Sequence, residues 1–207
     1  MKNTADAVFL HKPIQGWAGY LCHRRHKIAL DAEQNLLFCS RFLRQKASAK
    51  WRVIMNIVTT IQEVRDTVKA WKQQGLSVGL VPTMGYLHEG HKSLIDRSVA
   101  QNDKTVVSVF VNPMQFGPSE DLESYPRDMD RDAALCEAAG ADLIFHPEPS
   151  EMYHDDFSSF VDMNTLTGGL CGKTRPIHFR GVCTVVSKLF HIVTPDRAYF
   201  GQKDAQQ

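Results

Sequence analysis

Two imidazoles three residues apart, His88 and His91, stand in the stretch Pro82-Thr83-Met84-Gly85-Tyr86-Leu87-His88-Glu89-Gly90-His91. Gly85 and Gly90 remove side chains where backbone can approach a ligand. A helix opening at His91 would turn free N–H groups and the positive end of its dipole toward the same place. Imidazole donors beside a helix N-terminus describe a site for an anion, and in particular a phosphate site without the Walker lysine motif. Histidines near a helix start are also ordinary surface residues. Zinc is disfavoured, because the metalloprotease pattern HExxH places its histidines at i and i+4.

Such a loop needs elements to hold it. Thr60-Ile61-Gln62-Glu63 is a capping-box pattern, and Ile61, Val64, Val68 and Trp71 follow at helical spacing until Gly75 supplies a stop. Val78-Gly79-Leu80-Val81 is a short, continuously apolar run, which suits a strand buried on both faces of a parallel sheet. Further strands are expected at residues 105–111, 141–145 and 197–200, and helices at 91–100, 129–139 and 182–192. The alternation reads as an α/β fold, a Rossmann-like parallel sheet flanked by helices, whose ligands bind beyond the carboxyl ends of the strands. The histidine loop follows directly on the first of those strand ends, and it is similar to the HxGH signature of a nucleotidyltransferase superfamily that includes the class I aminoacyl-tRNA synthetases.

A second strand-end loop reads Phe110-Val111-Asn112-Pro113-Met114-Gln115-Phe116-Gly117. Alone, Asn-Pro is a turn and Gln115 a solvated polar residue. In one order, however, the chain carries VPTMGYLHEGH, FVNPMQFG, DLESYPRD, RPIHFRGVCTVVSKLF and PDRAYFGQKDAQQ. With these motifs, residues 55–207 closely resemble the pantoate–β-alanine ligase (pantothenate synthetase) family.

The resemblance implies a two-step ligation: ATP and pantoate give pantoyl adenylate and pyrophosphate, then β-alanine attacks the adenylate to give pantothenate and AMP, with Mg²⁺ assisting. A carboxylate is already ionised, so the first step asks for in-line positioning and for neutralisation of charge on the leaving pyrophosphate. By resemblance the ATP segments are Met84, Gly85, Tyr86, Leu87, His88, Glu89, Gly90 and His91, then Gly201, Gln202, Lys203 and Asp204. His91 falls at the position of a proton donor, with His88 beside the phosphates; protonated imidazole suits either task near neutral pH. Lys203 would reach phosphate oxygens, and Asp204 would hold the ribose or orient its neighbours. Gln115 and Gln207 match the glutamines that grip pantoate, since amides donate to its carboxylate and accept from its hydroxyls. Asn112 and Tyr125 would line the same pocket. His178 and Arg180 are further candidates for the phosphate or second substrate, whereas His146, His154 and His191 read as structural or surface residues. The metal ligands remain open. Two positions depart from the family pattern: Ile177 stands where glycine is usual, and Tyr86 where a smaller residue is common.

Composition sets the frame. Of 207 residues, 43% are hydrophobic and 23% charged, which excludes a disordered tail, a collagen-like fibre and a disulfide miniprotein. The formal net charge of +1 conceals ten Lys/Arg against three Asp/Glu in residues 1–54 and fourteen against twenty in residues 55–207. Residues 1–54 read as a basic, poorly ordered extension before a second natural start at Met55. A zinc set of Cys22, His23, His26 and Cys39 lacks the usual ligand spacing, and acidic residues argue against a targeting presequence. Five cysteines, an odd number without CxxC spacing, read as reduced thiols of a cytoplasmic protein. No apolar run is long enough to span a membrane. The expected partners are pantoate, β-alanine and ATP, with no nucleic acid and no membrane, and the resemblance implies a homodimer at full length. It also implies that family members continue past the KDAQQ motif through a Ser-Ser-Arg loop and a lid domain, so residues 55–207 are expected to be a truncated catalytic domain with impaired activity. Another HxGH adenylyltransferase or a non-catalytic nucleotide-binding remnant are the competing readings.

Overall fold

The computed structural model describes residues 8–9, 55–117, 120 and 122–206. Apart from Val8 and Phe9, the readings placed on residues 1–54, the cysteine–histidine set among them, lie outside the described residues, and so does Gln207.

The described strands are β1 (Val8–Phe9), β2 (Asn56–Val58), β3 (Val78–Thr83), β4 (Lys104–Val109), β5 (Leu143–Phe145) and β6 (Arg197–Phe200). They lie in the order β1-β6-β3-β4-β5-β2. The five from β2 to β6 are parallel, and β1 pairs antiparallel with β6. The principal helices are α1 (Ile61–Gln73), α2 (Glu89–Gln101), α3 (Met129–Ala139), the single turns α4 (Pro149–Met152) and α5 (Cys171–Thr174), and α6 (His178–Val193).

Each face of the sheet is covered. Val64 and Val68 of α1 and Val185, Leu189 and Ile192 of α6 pack on Val78, Leu80, Val106 and Phe110. On the other face Leu94 and Ile95 of α2 and Cys136 of α3 pack on Val81, Val107, Val109 and Ile144. Burial on both faces is why β3 reads as an uninterrupted apolar run. The Thr60–Glu63 capping box forms: the Glu63 N–H donates to Thr60 Oγ1 at 3.3 Å and the Thr60 N–H to Glu63 Oε2 at 3.0 Å. Gly75 then takes φ +75° after the last turn of α1.

The chain leaves β3 toward β4 on one side while β6 occupies its other side, so the β3–β6 boundary is the topological switch of the sheet. Gly79 and Leu80 stand opposite Arg197 and Ala198, which sets the carboxyl ends of β3 and β6 side by side. Ligands of open α/β sheets bind at that position. Some boundaries differ from the sequence expectation. Strand β4 ends at Val109 instead of 111, because Asn112 caps a 3₁₀ turn over Pro113–Gln115 by accepting from the Met114 N–H. Helix α6 begins four residues early, at His178, and Ile177 before it has φ −92° and ψ −14°, a backbone any L residue adopts, so glycine is not required there.

Candidate active site

The loop after β3 is clamped before it reaches the histidines. Thr83 Oγ1 donates to the Ser108 carbonyl at 2.7 Å and accepts from the Gly85 N–H at 3.3 Å. Gly85 has φ +86°, and a Cβ there would sit 3.0 Å from Val109 Cγ1 and 3.1 Å from Asp132 Oδ2. Tyr86 follows with φ +51°. This pair of left-handed residues aims two successive N–H groups at one carboxylate: Tyr86 donates to Asp132 Oδ2 at 2.8 Å and Leu87 to Asp132 Oδ1 at 2.7 Å. Asp132, on α3, is 1% exposed. Sequence reasoning missed it. The signal available was its place four residues before buried Cys136, on the inward face of an otherwise charged helix start. Leu87 also differs from expectation. Its side chain is fully buried in the core and its N–H is committed to Asp132, so it shapes the loop without lining the cleft.

His88, not His91, caps the helix. The Gly90 N–H donates to His88 Nδ1 at 3.0 Å, and the His88 N–H to His91 Nδ1 at 3.4 Å, with the two rings 4.1 Å apart. The imidazoles therefore play the parts a Ser and a Glu play in an ordinary capping box. With both Nδ1 atoms accepting, each ring presents its Nε2–H as a donor. Gly90 leaves room for this, since a Cβ there would lie 2.8 Å from His88 Cε1. Burial pushes the His91 imidazole down to about 4, assisted by His88 and by Lys203. His91 thus presents its Nε2–H to the cleft as a hydrogen-bond donor.

A cleft of about 830 Å³ opens at the switch point. Met84, Gly85, Tyr86, His88, Glu89, Gly90 and His91 line it from the β3 side, and Gly201, Gln202, Lys203 and Asp204 from the β6 side. Lys203 Nζ stands 2.9 Å from Asp204 Oδ1, with its side chain 71% exposed. Asn112, Gln115 and Tyr125 line the same cleft. Asn112 is nevertheless 1% exposed, and its amide is engaged by Gln115 Oε1, the Gly181 carbonyl and the Tyr153 hydroxyl. Its Nδ2 holds Gln115 through Oε1 at 3.2 Å. Among the described residues Gln115 Nε2 donates to Met84 Sδ, a weak acceptor. The wall of α6, Val182, Val185, Val186 and Leu189, closes the cleft with Pro82, Phe110 and Phe200.

Other candidates are placed elsewhere. His178 Nδ1 pairs with the Gln115 carbonyl at 3.0 Å and lines a smaller adjoining pocket, beside the Arg175–Glu120 ion pair that holds the Glu120 carboxyl down to about 2. Arg180 stacks 4.1 Å over the Phe160 ring. His146 Nδ1 meets the Val109 carbonyl and His191 Nδ1 the Ser187 carbonyl, both within their own framework. Among the described residues no three His, Cys, Asp or Glu side chains converge as a metal cage, and no helix is long and apolar enough to cross a membrane.

Comparison with known proteins agrees with this geometry. A family model described as pantoate-beta-alanine ligase matches residues 56–207. The pantothenate synthetase of Clostridium acetobutylicum is 63% identical over 153 residues, which cover 74% of this chain and 54% of that protein. That of Ruminiclostridium cellulolyticum is 67% identical with the same coverage. Among solved structures, a pantothenate synthetase from Thermus thermophilus superposes with a TM-score of 0.69 at 49% identity, over 73% of this chain and 54% of the other. A pantoate-beta-alanine ligase from Francisella tularensis, complexed with beta-gamma ATP and beta-alanine, gives a TM-score of 0.65 at 36% identity, over 68% and 54%. The chain thus spans about half the length of the curated relatives it matches.

Proposed function

Because this chain belongs to the pantoate–β-alanine ligase family, we propose that its cleft serves the ATP-dependent ligation of pantoate to β-alanine through pantoyl adenylate. The observation that carries the reading is the meeting of the HxGH loop and the Gly201–Asp204 turn in one cleft at the β3–β6 switch point.

In the first step a pantoate carboxylate oxygen attacks the α-phosphorus of ATP, and the bond to the bridging oxygen of pyrophosphate breaks. Negative charge accumulates on the departing oxygens, while no proton need leave the nucleophile. The chain's residues suit that distribution. Nε2–H donors of His88 and His91 and the N-terminus of α2 face the phosphates, and Lys203 turns from Asp204 to a phosphate oxygen. Fixed donors in a partly buried loop stabilise developing charge without reorganising. Asp204, released from Lys203, is free to meet the ribose. Gln115 exchanges Met84 Sδ for a pantoate oxygen, with Gln207 as its partner by resemblance, and Tyr125 borders the same space. In the second step the β-alanine amine forms the amide bond at the adenylate carbonyl, AMP leaves and the amine loses a proton.

Mg²⁺ would enter with the phosphates. It would keep much of its water and be held chiefly by phosphate oxygens. The metal would add charge neutralisation to the chemistry described. The same reading extends to a homodimer and a cytoplasmic location, supported by the sequence resemblance and by Cys136, Cys171 and Cys183 being free thiols.

The test is pantoate-dependent exchange of labelled pyrophosphate into ATP. Replacing His91 by Ala is expected to lower the exchange rate by about 10²–10³-fold, the usual loss on removing one donor to a developing charge. Exchange that is independent of pantoate, or untouched by the substitution, would contradict the proposal.

A further inference from the structure

Ser108 lies near the carboxyl end of β4, 1% exposed, and lines the cleft. Among the described residues its Oγ is the one buried side-chain nitrogen or oxygen with no hydrogen-bond partner. Its neighbours on the cleft wall differ. Thr83 Oγ1 is taken by the Ser108 carbonyl and the Gly85 N–H, and the Asn112 amide is engaged at both its atoms. Leaving a hydroxyl unpaired in the interior costs about 1–3 kcal/mol. Alanine would fill nearly the same volume without that penalty, so packing gives no reason for the hydroxyl.

The direction of the side chain follows from the strand. Val106, Ser108 and Phe110 share one face by the two-residue alternation, and Val106 and Phe110 pack with Val185 and Leu189 of α6. Ser108 therefore faces the apolar chamber that Pro82, Phe110, Val182, Val185 and Leu189 form within the cleft. His88, His91 and Lys203, the groups read as phosphate-facing, line the same cleft from its polar loops.

Pantoate has matching polarity along its length. Its carboxylate must meet the α-phosphorus at the polar loops, its paired methyl groups suit the apolar chamber, and its terminal hydroxyl is then carried into that chamber away from water. We infer that the Ser108 hydroxyl is a specificity-determining group that pairs with the terminal hydroxyl of pantoate, a deepening that rests on the ligase reading above. A serine and an alcohol each donate and accept, so the pair gives the Ser108 Oγ the partner it lacks. A site built to bond a substrate hydroxyl rejects the analogue that lacks it far more strongly than an apolar pocket rejects an added one.

The experiment crosses two acids with two proteins. Pantoate, and the analogue lacking only its terminal hydroxyl, are titrated in the presence of a non-hydrolysable ATP analogue against the full chain and its Ser108→Ala variant. The unmodified chain is expected to prefer pantoate by at least about tenfold, or 1.4 kcal/mol. Ser108→Ala should weaken pantoate by a similar factor, leave the analogue unchanged or tighter, and leave the ligand-free melting temperature unchanged or higher. Equal weakening of both acids, or a lower ligand-free melting temperature, would show that the hydroxyl serves the fold and overturn the inference. So would a chain that binds both acids equally well. Failure of the unmodified chain to bind either acid would bring down the ligase reading together with this one.

Discussion

The chemistry proposed for the cleft turns on which atom of each histidine would face a ligand. With the Nδ1 atoms of His88 and His91 occupied by backbone N–H groups, protonating His91 means breaking its own cap, and burial acts in the same direction. Its imidazole should remain neutral at pH 6 in the ligand-free chain, where an exposed histidine is largely charged; an NMR titration of the ring carbons reads this directly. The consequence for stability has a definite sign. Between about 4 and the usual value of 6.5 the unfolded chain binds a proton that the folded chain refuses, so this contribution is complete above 6.5 and is lost as pH falls toward 4. A His91→Gln variant should lack that part of the acid dependence in chemical denaturation, and parallel curves for the two proteins would contradict the assignment. Asp132 gives a second prediction at this scale. In Asp132→Asn one carboxylate oxygen becomes an NH₂ group facing a backbone donor, and unfolding should cost about 1–3 kcal/mol less, with weaker ATP binding because the Gly85–Leu87 turn loses its anchor. The placing of His88, His91 and Gln115 beside strand ends was legible in sequence because their spacing fits a motif. Asp132 and Ser108 were not: each belongs to an element whose pattern reads as helix or strand, and its meaning comes from a loop or chamber that only the fold brings to it.

Elements position these groups by short-range rules, and most were readable. Helices α1 and α3 and strand β6 begin or end where caps and apolar runs place them: a capping box at Thr60, an Asp128 side chain accepting from the Arg131 N–H, a left-handed Gly140. Strand β2 was not foreseen, because Asn56–Val58 is three residues long and largely exposed, and it exists through its pairing with β5. Helix α2 opens two residues earlier than expected because a histidine does the capping that Ser, Thr, Asp or Asn usually does. That cap separates stability from function at Gly90. Alanine favours a helix over glycine by up to about 1 kcal/mol, yet its Cβ would meet the His88 ring at 2.8 Å. Gly90→Ala is therefore expected to leave the melting temperature unchanged or slightly raised while ATP affinity falls about tenfold or more. Loss of both together would mean that the glycine serves the helix alone.

At the scale of the molecule, a parallel sheet covered on both faces reverses its winding between β3 and β6, and the polar loops of both strands meet at that boundary. Strand order was not legible in the sequence; alternation of element types gave the class of fold, and the pairing of β6 beside β3 is a tertiary fact. It is also what unites Lys203 with His91 across more than a hundred residues of chain. The central claim is that this union is a triphosphate site. Calorimetric titration of ATP into the 207-residue chain, its His91→Ala and Lys203→Ala variants and the double variant tests it most directly. Each single substitution should weaken ATP by about tenfold or more, and the double variant should depart from additivity because both groups hold the same phosphates. ATP binding of equal strength in all four proteins, or none in the unmodified chain, would contradict the account.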